Sequence, residues 1–190
     1  HRWRHEVDWL WRHFHQIHHS PRRLEVVTSF YKHPLEMVAN SLVGTVLVYP
    51  LLGLSPEAGA VYTLCTALGE FFYHTSCCTS HWLGYVFQRP EMHRIHHEHG
   101  RHRDNYGDIV WWDMLFGTWR NPRTWNGACG FTPDREERLS DMLRFHDVHR
   151  EPDRPRRDPR IRNGILAHGW LARGRRSHEG TVRSARSSTR

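Results

Sequence analysis

The sequence predicts an all-α fold: a helical hairpin in a membrane, capped on its cytoplasmic side by histidine-rich helices. Three observations predict it. Two apolar stretches, residues 37–54 and 58–73, stand side by side, with Gly53, Ser55 and Pro56 breaking the chain between them. No Lys or Arg occurs between Lys32 and Arg89, while Arg22, Arg23 and Lys32 lie before the pair and Arg89 and Arg94 after it. Histidine motifs at helical spacing flank the pair on both sides.

The first region, residues 1–35, is polar, aromatic and rich in histidine. HRWRH places His1 and His5 at i and i+4, and HQIHH places His15, His18 and His19 at i, i+3 and i+4. On a helix these positions share one face, with Cβ atoms about 5–6 Å apart, so an HxxHH unit points three imidazoles one way. A single HxxxH reads most simply as a solvated helix face.

The apolar pair comes next, over about residues 36–73. Its first run is 18 residues without a charge; the second is interrupted by Glu70. Both are at the short end of the roughly 17–25 residues a spanning helix needs, so two buried helices of a soluble domain satisfy length alone. Charge placement favours the hairpin, because the turn carries only Glu57 and the basic flanks face the cytoplasm under the positive-inside tendency. Glu70 in lipid is costly unless it faces a cavity or a partner. A hairpin also returns the chain to the side it left, which brings the histidines of residues 1–19 and 74–97 to one membrane face.

Residues 74–149 return to His, Trp and charge. His74 follows the second apolar helix, and HRIHH repeats the motif with His93, His96 and His97. Fourteen of the 18 histidines lie between His1 and His102. Eight imidazoles in three motifs exceed what one tetrahedral zinc uses and suit two metal ions, with Fe, Zn, Cu and Ni all compatible. HExxH, ExxH, GxGxxG, a P-loop and GxSxG are missing, which leaves zincin proteases, carboxylate di-iron bundles, nucleotide enzymes and serine hydrolases unsupported. All-histidine ligation beside lipid points to iron and O2, since attack on an unactivated C–H bond needs a cofactor.

Residues 150–190 are Arg, Pro, Gly and Ser and read as a disordered tail. They hold 12 Arg against four acids, whereas residues 1–149 hold 15 Lys and Arg against 16 Asp and Glu. The net charge of +7 therefore belongs to the tail. The tail lacks interleaved aromatics, so nucleic acid is not an expected partner. Cys65, Cys77, Cys78 and Cys129 form no CxxC pair and no disulfide framework, which suits a reducing compartment.

With these motifs the chain resembles the fatty acid hydroxylase/sterol desaturase superfamily, membrane-bound histidine-rich di-iron oxygenases. LWRHFHQIHHS (residues 10–20), HPLE (33–36), PEMHRIHHE (90–98), DNYGDIVWWDMLFGTW (104–119) and GFTPDREERLSDMLRFHDV (130–148) all resemble its segments, so the likeness spans residues 1–149. It implies a bacterial-type member, N-terminally truncated, because members carry membrane helices ahead of the first motif. It implies an oxygenase domain over 1–149 that hydroxylates or desaturates a lipid (sterol, fatty acyl or sphingoid-like), using O2 and electrons from a separate donor protein. The implied ligands of two Fe ions are His1, His5, His15, His18, His19, His93, His96 and His97. His74 joins them, although its YHTSCCTSH surroundings depart from the family pattern. His33, His81, Asp104, Asn105 and Asp113 are expected as ligands or as partners that hold ligand rings. His13, His99 and His102 are expected beside the site or in water. The alternative is a non-catalytic or zinc-loaded metal-binding homologue.

Overall fold

The computed structural model describes residues 1–151; the expected disordered tail over 150–190 falls, beyond its first two residues, outside the described residues. Helices dominate. Among the described residues no β-strand forms, and two isolated bridges, Phe87 with Ile109 and Glu98 with Cys129, pin loops to one another.

The chain opens with α1 (Arg2–Glu6) and α2 (Asp8–Leu10), which runs through a π-helical turn (Trp11–His15) into α3 (Gln16–His19). The turn's wider winding fits the functional placement common for such bulges, since it ends on His15. A short 3₁₀ segment (Val26–Phe30) leads to α4 (Pro34–Val46). Here the His33 ring accepts from the Leu35 N–H at 3.0 Å and Pro34 sits in the first turn, so an unusual imidazole cap and a favourable proline start the helix. α4 continues as a π-helical turn (Leu47–Leu51) containing Pro50 and stops at Gly53, whose φ of +65° suits glycine. Ser55 then caps α5 (Pro56–Tyr73), its hydroxyl accepting from Ala58 N–H, with Pro56 at the start and Glu57 in the first turn.

Pro34–Leu51 is long and apolar enough to cross a membrane, and only 11% of it is buried. A core helix of a soluble domain would be mostly covered; Leu42, Val43 and Val46 are instead exposed. α5 has the same length but is less apolar, interrupted by Glu57 and Glu70, and among the described residues it does not meet the same measure. Val61, Leu64 and Leu68 on α5 are nevertheless exposed. Glu70 is paired with Lys32, which supplies the partner that an acid in this helix requires.

Beyond α5, a 3₁₀ turn (His81–Tyr85) precedes α6 (Pro90–His96), which carries the last histidine motif and packs against α5. Then come α7 (Trp111–Leu115), α8 (Pro133–Glu136) and α9 (Leu139–Met142). A small core of Trp11, Ile17, Phe131, Met142 and Val148 holds the π-helical turn and α3 against the C-terminal segment. The strap around Gly130 ties both HxxHH segments together: Gly130 N–H donates to His97 O and Phe131 N–H to Ser20 O.

Candidate metal centre

Nine histidines converge in two groups. His1, His5, His15, His19 and His96 place one ring nitrogen each within 4.8 Å of one another, and His18, His74, His93 and His97 do the same. All but His1 are buried.

The expected helical spacing holds, but neither HxxHH unit aims at a single point. His15 and His19 enter the first group and His18 the second, whereas His96 enters the first and His93 and His97 the second. Consecutive residues on a helix of 3.6 residues per turn point about 100° apart. His18 and His19, or His96 and His97, therefore straddle the helix face and feed adjoining sites.

Hydrogen bonding decides which nitrogens remain for a ligand. A neutral imidazole has one donor nitrogen and one acceptor nitrogen. His1 Nδ1 donates to Tyr106 O at 2.9 Å, and His15 Nδ1 donates to the Glu36 carboxylate at 3.0 Å. Both Nε2 atoms are then lone-pair atoms, yet they stand 2.8 Å apart. In the second group His74 Nδ1 donates to Glu70 O at 2.8 Å. The Nε2 atoms of His18, His74, His93 and His97 then form a row of contacts at 3.3, 3.0 and 3.1 Å. With His74 Nε2 unprotonated, neutral rings cannot place one proton in each of the three contacts.

Extra protons do not relieve this crowding. Burial, reinforced by the neighbouring imidazoles, holds His5, His15, His18, His19, His93 and His97 well below the usual histidine range. Burial likewise takes His74 and His96 down to about 4, against opposing hydrogen bonds to backbone carbonyls. Nε2 of His5, His19 and His96 is buried without a hydrogen-bond partner. Converging neutral lone pairs without partners are what a cation resolves: nitrogens bound ~2.1 Å from a shared metal lie about 3.0–3.4 Å apart, the shorter value at 90° and the longer in a tetrahedron. The donor set fits a transition-metal ion in each group.

Supporting residues come from several elements. α4 packs against the π-helical turn, which brings Glu36 to His15; Glu36 also accepts from Arg4 at 2.9 Å. Asp104 O accepts from His96 Nδ1 at 2.8 Å, while its carboxylate pairs with Arg101 and Arg120. Asn105 braces α6 by donating to Met92 O at 2.9 Å. Asp113 accepts from Tyr106 and Gly107 N–H, each at 2.8 Å, and so fixes the loop whose carbonyls hold His1 and His96. Asp104, Asn105 and Asp113 thus stand behind the rings. His33 caps α4, and His81, half-exposed, contacts Asn121 O at 3.1 Å; neither belongs to either group.

Glu36 carries contacts that the motif reading does not assign, and His102 takes up the first of its two expected places, beside the site rather than in water. His102 Nδ1 lies 3.1 Å from His19 Nδ1, with the ring buried. Glu36 stands in the quoted HPLE segment, and an acid in the first turn of an apolar helix is the sequence signal for it. A cavity of about 200 Å³ opens beside the histidines and touches both groups, through His1 and His15 of one and His18 and His93 of the other.

The chain is 31% identical over 125 residues to an ornithine lipid hydroxylase of Rhizobium tropici, an alignment covering 64% of this chain and 38% of the relative. It is 27% identical over 126 residues to a very-long-chain aldehyde decarbonylase of Oryza sativa subsp. indica, covering 62% and 47%. It is 28% identical over 191 residues to an alkylglycerol monooxygenase of Caenorhabditis elegans, covering 90% and 37%. The chain thus spans less than half the length of these curated relatives. No solved structure matches. The family model for fatty acid hydroxylase matches residues 1–118, which hold all nine clustered histidines, and with well over half of its length matched the chain belongs to the fatty acid hydroxylase family.

Proposed function

We propose that this chain is the catalytic part of a membrane-bound oxygenase that holds two iron ions and hydroxylates or desaturates a lipid. The observation that carries the reading is the pair of adjoining imidazole groups, five and four rings, all buried but His1, with the buried rings held neutral by burial. The relatives' names, a lipid hydroxylase and an alkylglycerol monooxygenase among them, support the substrate class. Bound iron would supply the oxidising power for a C–H bond that no side chain supplies. In a hydroxylation, one oxygen atom of O2 enters the C–H bond and the other leaves as water, with two protons and two electrons. A separate electron-donor protein provides the electrons.

The residues of this chain do the rest. His1, His5, His15, His19 and His96 hold one ion; His18, His74, His93 and His97 hold the other. Glu36, Asp104 and Tyr106, the latter two through their carbonyls, keep the rings turned inward. α4 and α5 form the membrane hairpin, with Lys32 and Arg89 on the cytoplasmic side together with the histidines. The exposed apolar faces of both helices support a hairpin that lies in lipid, and the basic residues flanking it support the cytoplasmic side.

Iron-loaded protein is expected to form an O2-dependent lipid product, lost in His18→Ala and in His96→Ala, one replacement per group. Product formation retained in both variants would rule the reading out. Tightly held zinc that iron does not displace, with no product, would identify the non-catalytic homologue instead.

A further inference from the structure

The walls of the cavity beside the two histidine groups are chemically specific. Apart from its histidines, they are Arg4, Lys32, Glu36, Glu70 and Tyr73. Among the described residues no aliphatic side chain lines it. Arg4 pairs with Glu36 at 2.9 Å and Lys32 pairs with Glu70, so the wall holds two basic and two acidic side chains. A pocket for an alkyl chain is lined mainly by apolar side chains. Pushing methylenes into this one would strip water from both acid–base pairs, with only the histidine and Tyr73 rings to offer apolar contact in return.

From this lining we infer that the site receives the polar end of an amphiphilic substrate, a headgroup with both hydrogen-bond donors and acceptors, and oxidises a carbon there rather than along the alkyl chain. The inference rests on the lipid-oxygenase reading above and names its substrate class. Placement agrees with chemistry. Glu36 stands in the first turn of α4 and Glu70 in the last turn of α5, so in a hairpin both lie at one membrane face. Headgroups lie at that level. The exposed Leu42, Val43 and Val46 of α4 and Leu64 and Leu68 of α5 continue below it, where acyl chains run. The volume of about 200 Å³ equals roughly seven waters, which suits a headgroup fragment and not a long chain.

Hydroxylation at the headgroup balances as before: a C–H bond breaks, a C–OH bond forms, the second oxygen atom leaves as water, and a reduced one-electron donor is oxidised twice. The test uses the whole chain, loaded with iron and purified in detergent. It is given ¹⁸O2, ascorbate with a redox mediator, and a mixture of phosphatidylethanolamine, an N-acyl amino-acid lipid, free fatty acid, sterol and alkane. Fragmentation mass spectrometry then locates the label. Label on a headgroup fragment is the expected result. Label on an acyl chain, sterol or alkane would overturn the inference and leave the oxygenase reading standing. No label in any lipid, from protein shown to carry iron, would overturn both. The double variant Lys32→Met, Glu70→Gln is expected to raise KM for the headgroup reaction about tenfold or more, because a wall that bonds the substrate is lost. Its metal content is expected to be unchanged. An unaltered KM, or a change in kcat alone, would count against the assignment.

Discussion

Glu36 shows how one side chain sets the state of the site. It is fully buried and accepts from both Arg4 and His15, so it presents His15 Nε2 to the first group. Partners of this kind are worth about 10–100-fold in metal affinity. Glu36→Gln is expected to weaken metal retention by about that factor, measured by chelator competition, with helical content unchanged. Retention equal to the parent's would show that His15 needs no such partner. Eight of the nine clustered rings were legible from spacing because i, i+3 and i+4 is a local property of a helix; His74 stands in no such motif and was placed by its position after the second apolar run and by the family resemblance. Glu36 was not legible as a partner, and His102 only as a residue beside the site or in water. They meet His15 and His19 across 21 and 83 residues, and only tertiary folding brings them there. His102, Asp104 and Asn105 adopt left-handed φ values of +44°, +71° and +48°, and this turn folds the segment back onto the rings.

At the scale of elements, α4 and the Gly130 strap carry the testable load. An arginine at the centre of a spanning helix costs about 2.5–3.5 kcal/mol of insertion free energy. Val43→Arg, on an exposed position of α4, is therefore expected to lower the fraction of chain that resists carbonate extraction from membranes. Unchanged extraction would show that α4 does not lie in lipid. Gly130 has φ +75°, and a Cβ there would meet Pro21 O at 2.3 Å. Gly130→Ala is expected to pull apart the two HxxHH segments and destabilise the protein by on the order of 1–3 kcal/mol, read as a lower Tm in detergent. The apolar runs announced α4 and α5, and Gly53, Ser55 and Pro56 marked the break between them, but the helices start at Pro34 and Pro56, ahead of the runs at residues 37 and 58. The strap was hidden, because an irregular loop has no periodicity and the steric demand on Gly130 comes from Pro21, over a hundred residues away. The π-helical turn was hidden for a related reason: packing rather than propensity decides where a helix widens.

For the whole molecule, the main consequence of nine crowded imidazoles is a dependence on pH. The folded rings stay neutral to about pH 4 at His74 and His96, whereas an unfolded chain binds protons below about 6.5. Uptake by the unfolded state means that stability is full above about pH 6.5 and falls as pH drops towards 4. Thermal unfolding of the metal-free chain across that window is expected to show a steadily falling Tm; a Tm independent of pH there would mean the rings are not buried as described. Charge distribution along the sequence foretold that the basic excess lies beyond residue 149 and not around the histidines. The number of histidines called for two metal ions, but which ring joins which group was not legible in the motifs, since each HxxHH unit looked like one face. The most direct measurement is metal content per chain, by mass spectrometry, on detergent-purified protein from iron-supplemented cells. Two sites predict about two ions per chain, and fewer in His18→Ala and in His96→Ala. One ion per chain or less in the unaltered protein would contradict the two-site centre.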